Sequence, residues 1–131
     1  MTPLFYILTL ALPFFLALFE RYLPFPYIVE EIAKAALVHA VRLSNKKGGV
    51  LRISLTAGFC FALTETILYV PNFAQSGTLI LLLVRLVCTF LLHSLTFSLL
   101  FSTRGRLFFV ALLANVGIHF IYNICMLGGV R

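Results

Sequence analysis

Long apolar blocks that are almost free of charge limit the folds this chain can adopt. The first, from Pro3 to Phe19, contains no charged residue, and four more blocks follow with short connections. Their apolar residues are continuous and lack amphipathic spacing, which is typical of membrane spans. Only 11% of the residues are charged, against about 25% in soluble domains. We therefore expect an all-α protein, a polytopic membrane helix bundle of about five transmembrane helices.

The predicted spans form a single domain, 1–131, and cover about 3–19, 27–43, 51–70, 78–101 and 107–127. The first block lacks the basic region and small-residue cleavage site of a signal peptide, so we expect it to be retained. Two glycines within the spans, Gly58 and Gly117, are predicted to let helices approach closely. Three cysteines in apolar blocks without a CxxC predict buried free thiols: Cys60, Cys88 and Cys125.

The net charge of +6 follows membrane topology and does not require a nucleic-acid partner. Six of the ten Lys and Arg residues flank two loops: Arg42, Lys46, Lys47, Arg52, Arg104 and Arg106. The positive-inside rule places both loops in the cytoplasm. This predicts a multi-pass protein of the cell membrane, in contact with the lipid bilayer, with a cytoplasmic N-terminus and a C-terminus outside.

Two of the four acidic residues stand side by side, at Glu30 and Glu31. Acids in the first turns of a helix gain roughly 0.3–1 kcal/mol from the helix dipole, which would explain such a pair in a soluble helix. Here Lys34 follows on the same helix and apolar spans flank it. We therefore favour a functional role for the pair.

The predicted topology brings polar side chains of four helices to the outer half of the bilayer. Glu30 and Glu31 lie within four residues of the outer end of their span. At 1.5 Å per residue, Glu65 lies roughly 7–8 Å below that end, and Arg85 and His119 roughly 12 Å below it. Polar groups at such depths cost on the order of 2.5–3.5 kcal/mol unless they pair or line a cavity.

Two further residues complete this set, and one of them is expected to lie apart. Asn123 is one turn from His119 on the same face of the fifth span. His93 is sixteen residues into the fourth span, so we expect it past the midplane. We predict one shared hydrated pocket, in which Lys34 and Arg85 offset the carboxylates.

The residue types exclude several designs of membrane protease. The chain has no Asp for an aspartyl mechanism, no HExxH motif, and no GxSG or GxSxG serine motif. Glutamate, histidine and asparagine remain. A carboxylate in an apolar site can act as a general base toward water, histidine can bind a metal or polarise water, and an asparagine amide can stabilise an oxyanion.

Four motifs occur in order on successive predicted helices: EExxK at Glu30, Glu31 and Lys34, FxxxExxxY at Phe61, Glu65 and Tyr69, Arg85 followed eight residues on by His93, and HxxxN at His119 and Asn123. In this order the chain resembles the PrsW family of membrane proteases, within the superfamily that includes the CAAX prenyl endopeptidases. The resemblance covers Glu30 to Asn123, most of the chain. It implies an endopeptidase in which a glutamate activates water and the substrate is a membrane-anchored protein or peptide.

The resemblance also implies roles for individual residues. The catalytic set would be Glu30, Glu31, Glu65, His93, His119 and Asn123, supported by Lys34, Arg85 and Tyr69. Either acid of the pair could be the base, and we favour Glu30. A divalent metal such as zinc would be held by Glu65, His93, His119 and Asn123, but these mixed ligands do not select one ion, and a metal-free mechanism stays open.

Two other functions stay open at this stage. Intramembrane Glu, Arg and His also serve proton- or ion-coupled transporters and channel subunits, although such a path needs polar residues that reach both faces. A non-catalytic member of the same fold is the other alternative. Because the chain is short, a second copy could be needed to enclose the site, as a homo-oligomer.

Overall fold

The structure is a computed structural model that describes residues 3–20, 22–44, 49–73 and 79–127. Its five helices are α1 (Pro3–Glu20), α2 (Pro26–Ser44), α3 (Val50–Phe73), α4 (Leu79–Ser102) and α5 (Arg106–Leu127). The expected all-α bundle is confirmed. Most bounds agree with the prediction to within one residue, but α3 continues through Pro71 to Phe73, where a loop was expected.

Three described helices are long and apolar enough to cross a membrane: Val50–Pro71, Leu79–Ser102 and Arg106–Met126. Pro3–Phe19 is a shorter apolar helix. Helix α2 differs from the other four helices in its charged residues, which are Glu30, Glu31, Lys34 and Arg42. That α1 and α2 also cross the bilayer stays a prediction, as does the orientation of the chain.

The closest packing joins α3 and α4, which run antiparallel. A Cβ atom added to Gly58 would lie only 2.7 Å from the Cα of Ser94, so only glycine permits this approach. Nothing lies within 4 Å of the corresponding position at Gly117, so the expected close approach there is wrong. Its neighbourhood on α5 is open because α5 packs at the periphery of the bundle.

The apolar core lies among α1 to α4, around Phe5, Val38, Phe61, Phe97 and Leu100. Thr64 of α3 donates a hydrogen bond to the Leu10 carbonyl of α1 at 2.8 Å, one turn before Pro13. Large apolar side chains cover the outer faces of the helices, as expected for contact with lipid. The three cysteines are free, but Cys125 is exposed, so burial was wrongly expected there.

Candidate active site

Five ionisable side chains from four helices surround Lys34 in the buried interior. Glu30 and Glu31 lie on α2 beside Lys34, Glu65 on α3, His93 on α4 and His119 on α5. The two adjacent acids and the lysine lie on consecutive turns, where residues three and four apart are neighbours. All are buried except Glu65, whose side chain is 20% exposed. We call these six residues the cluster.

Lys34 is the centre of the cluster. Its Nζ lies 2.6 Å from Glu30 Oε1, 2.8 Å from Glu31 Oε1 and 2.7 Å from His93 Nδ1. An ammonium group has three donors and no acceptor, so three acceptors are the most that it can satisfy. Its remaining side is covered by aromatic rings, with the centroid of Phe61 at 4.5 Å. Three acceptors and a ring therefore enclose a fully buried cation.

The network assigns the protons of both histidines. Lys34 only donates, so His93 Nδ1 must accept, and its Nε2 then carries the proton and donates to Glu65 Oε2 at 2.9 Å. His119 Nδ1 donates to Glu31 Oε1 at 2.9 Å. His93 is therefore committed at both ring nitrogens, whereas His119 retains Nε2 for another partner.

The carboxylates outnumber the cation. With neutral histidines, three carboxylates against one ammonium leave a formal charge of −2. Glu31 Oε2 is buried without a hydrogen-bond partner among the described residues, and Glu30 Oε1 accepts no hydrogen bond of good geometry although Lys34 lies close to it. Excess buried charge is costly, so the cluster favours further positive charge.

The donors of the cluster fit a divalent cation in type and charge. Two groups have ligand atoms within 4.8 Å of one another: Glu30, Glu65 and His93, and Glu30, Glu31 and His119. Carboxylate oxygens and imidazole nitrogens are the donors that zinc and similar ions accept. Glu30 belongs to both groups, although it was not in the metal set expected from the sequence. The formal charge of −2 also matches such an ion.

A cleft of about 740 Å³ opens onto two of the carboxylates. Its walls come from α1, through Pro13, Phe14 and Leu18, and from α3, through Glu65 and Tyr69, and Glu30 of α2 also lines it. Glu31 is fully buried and does not line this cleft. The two adjacent acids therefore differ, because Glu30 faces an entrance and Glu31 faces the interior.

The structure corrects three placements expected from the sequence. His93 does not lie apart, since it bonds both Lys34 and Glu65; α3 extends three residues further than expected, which puts Glu65 deeper and level with His93. Arg85 does not offset the carboxylates, because its guanidinium stacks on Tyr69, 3.3 Å from the ring centroid.

Asn123 is half-buried and hydrogen-bonds to none of the residues that the structure describes. It is therefore not joined to the cluster by a hydrogen bond among the described residues, unlike His119 one turn earlier.

Several aromatic and hydroxyl side chains near the cluster were not predicted as site residues. Phe61 lies 4.6 Å from His93 between ring centroids, and Tyr27 lies 6.2 Å from His119. Tyr122 shares a 2.8 Å hydrogen bond with buried Thr89. Phe61 could have been found from its position one turn before Glu65, but nothing in the sequence distinguishes Thr89 from the other threonines of the apolar blocks.

Comparison with protein families matches residues 22–130 to the PrsW family intramembrane metalloproteases. The match covers α2 to α5, which carry every residue of the cluster. No curated protein and no solved structure matches the chain.

Proposed function

Since the chain belongs to the PrsW family of intramembrane metalloproteases, we propose that it hydrolyses peptide bonds of membrane-anchored proteins with a water activated by Glu30. One observation carries the proposal. Three glutamates and two histidines from four separate helices meet around Lys34, and a cleft reaches Glu30 and Glu65 among them. Intramembrane ionisable groups that converge in this way favour a chemical role.

Glu30 is the base that the geometry supports best. Its side chain lines the cleft, whereas that of Glu31 does not, so Glu30 is the acid of the pair that a water molecule in the cleft can approach. Glu30 takes a proton from water while the water oxygen attacks the substrate carbonyl carbon. When the C–N bond breaks, Glu30 returns the proton to the leaving nitrogen.

The other cluster residues orient this chemistry. Glu31 accepts from both Lys34 and His119, so it positions a cation and an imidazole and is not itself open to substrate. With its proton on Nδ1, His119 offers the lone pair of Nε2 to a metal or to a proton of the attacking water. His93 is held in one tautomer between Lys34 and Glu65.

A divalent metal such as zinc would be held by Glu30, Glu65 and His93, with His119 as a further ligand, and His93 would first have to give up its hydrogen bond to Lys34 or to Glu65 to free a nitrogen for the ion. When bound, it would polarise the substrate carbonyl and acidify water. Asn123 is not part of this set, because it has no hydrogen bond to the cluster among the described residues.

The test is cleavage of a membrane-anchored substrate by the purified chain carrying Glu30→Gln, Glu31→Gln or His119→Ala. We expect each variant to lose about 100-fold or more of the rate, since general-base and electrostatic contributions are each of about that size. Glu30→Gln should lose the most and still fold. The assignment is wrong if all three variants cleave at the wild-type rate.

Two matched controls separate chemistry from folding. Arg52→Gln also removes one charge, but at an exposed site on α3, and Leu113→Ala truncates an exposed side chain on α5, the helix of His119. Both should retain the wild-type rate. Loss of cleavage in either control would mean that the assay reports stability and not the site.

A further inference from the structure

A second cavity, of about 950 Å³, lies between α2 and α5. On α2 its wall includes Ile32, Ala36 and Arg42, and on α5 and the turn before it Arg104, Phe109 and Leu112. No residue of the cluster lines this groove. The groove is therefore a separate feature of the bundle, and its chemistry differs from that of the cleft at Glu30.

Positive charge without an acidic counterpart marks one end of the groove. Arg42 and Arg104 both line it, and no acidic residue lines it. Arg42 donates to the Leu100 carbonyl, and its guanidinium lies 5.3 Å from the centroid of Phe108. These contacts fix the position of its charge but do not neutralise it.

Apart from the two arginines and His39, the side chains that line the groove are apolar, and the groove is about as long as one bilayer leaflet is thick. Ile32 and Arg42 are ten residues apart on α2, which corresponds to about 15 Å of helix. The hydrocarbon core of a bilayer is about 30 Å thick, so one leaflet is about half of that. Ala36 leaves room along the wall, and Ile32 and Phe109 are exposed along it.

We propose that this groove binds one anionic phospholipid, with its phosphate between Arg42 and Arg104 and an acyl chain along Ala36 toward Ile32. Both halves of the ligand match the groove: the charged end carries two arginines without an acid, and the apolar end has the length of a leaflet. Anionic lipids are concentrated in the cytoplasmic leaflet, on the side where the basic loops are expected. A polar acidic peptide would match only the arginine end.

The first experiment compares lipid binding to the full chain in detergent by native mass spectrometry, with phosphatidylglycerol, phosphatidylcholine and inorganic phosphate as separate probes. We expect phosphatidylglycerol to bind about tenfold or more tightly than phosphatidylcholine, because two arginines near the head group each favour the anionic lipid. Inorganic phosphate should neither bind with comparable affinity nor displace the lipid. Equal binding of the two lipids, or comparable binding of phosphate alone, would overturn the proposal.

Charge variants locate the head group. Arg42→Gln combined with Arg104→Gln should weaken phosphatidylglycerol about tenfold or more, while the matched pair Arg52→Gln and Arg106→Gln should leave it within about twofold. The control pair removes the same charge from the same end of the bundle, at exposed sites outside the groove. Equal losses of phosphatidylglycerol affinity in the two double variants would mean that the lipid is attracted to the basic surface in general and not to the groove. Because Arg42 also bonds Leu100, Arg104→Gln alone keeps the test valid if the double variant does not fold.

A variant that fills the groove tests whether the lipid inserts into the groove or is only attracted to the basic surface. Ala36→Phe places a ring in the groove and leaves both arginines in place, so we expect it to reduce phosphatidylglycerol binding. Ala40→Phe, at an exposed site of the same helix outside the groove, should not. Undiminished binding to the Ala36 variant would overturn the proposal, as would an acidic peptide found in place of lipid. The readout is lipid binding, so it stands whether or not Glu30 proves to be the base.

Discussion

Two regions of the bundle are rich in charge but are built in opposite ways: the cluster around Lys34, and the end that carries Arg42, Arg104 and Arg106, which we call the arginine end. In the cluster, charges of both signs are buried and lie within about 3 Å of a partner on the same or another helix. Arg42, Arg104 and Arg106 share one sign, are half-buried or exposed, and have no acidic partner among the described residues. Charges in the two regions therefore have unequal structural consequences.

The difference follows from what surrounds each charge. A buried ion loses its hydration and must be compensated by a partner in fixed geometry, so removal of one partner leaves an uncompensated charge. A charge at the end of the bundle keeps contact with water or lipid head groups and costs little by itself. We therefore expect loss of the ammonium from the cluster to lower the stability of the fold, and substitutions at the arginine end to alter lipid contact.

The largest effect is expected from Lys34→Met, which keeps the volume of the side chain and removes the cation. Glu30, Glu31 and His93 then lose their shared partner, and the free energy of unfolding should fall by about 3–5 kcal/mol. Reversible unfolding in mixed micelles measures this change. Arg52→Met, the matched loss of a cation at an exposed site, should change it by no more than about 0.5 kcal/mol.

A Lys34→Met variant as stable as the wild type would show that the ammonium group is not needed to compensate the buried carboxylates. In that case protons on Glu30 and Glu31 would have to compensate the missing charge, and stability would rise on acidification. Stability that is both unchanged and independent of pH would show that the carboxylates are not held together by Lys34 at all.

Addition of zinc should give the next largest effect. A bound ion stabilises the folded chain by RT ln(1 + [L]/Kd), about 2.7 kcal/mol at a hundredfold excess over Kd, and the cluster supplies both the ligands and the charge for it. The shift in unfolding temperature with zinc should disappear in His93→Ala and in Glu65→Gln. It should persist in Asn123→Ala, because Asn123 has no hydrogen bond to the cluster among the described residues. A shift that survives in both cluster variants would place the ion elsewhere.

Much of the cluster could be predicted from local spacing. EExxK puts Lys34 within reach of both acids on one helix, and the predicted topology places His119 in the same half of the bilayer as these acids. These inferences need only helical geometry and the cost of charge in lipid, and the structure brings the same residues together. Their catalytic roles stay predictions.

The correct placement of the other residues depends on helix ends and on the packing between helices, which residue spacing does not determine. The third span was expected to end at Val70, but α3 continues through Pro71 to Phe73. Arg85 was assigned to a carboxylate by charge alone, whereas the ring of Tyr69 lies closer. Asn123 was placed by its face, but the tilt and position of α5 decide which part of that face is covered.

The close approach at Gly58 is expected to have an intermediate effect. It holds α3 against α4, and this contact aligns Glu65 with His93. In Gly58→Ala the new Cβ meets backbone atoms of Ser94, which cannot rotate away, and overpacking of this kind costs about 1–3 kcal/mol. Gly117→Ala, at an open helical site, should gain up to about 1 kcal/mol from helix propensity. Equal unfolding free energies for the two variants would mean that the helices separate without cost.

The smallest effect on stability is expected at the arginine end. Arg106→Gln removes an exposed charge with no ion pair among the described residues, so the unfolding free energy should change by no more than about 0.5 kcal/mol. The same substitution weakens the positive-inside bias, so protease protection of a C-terminal tag in membrane vesicles should reveal any fraction of inverted chains. A loss of stability comparable to that of Lys34→Met would mean that this charge, too, is compensated inside the fold. Unchanged stability would show that pairing, and not the number of charges, decides which residues hold the bundle together.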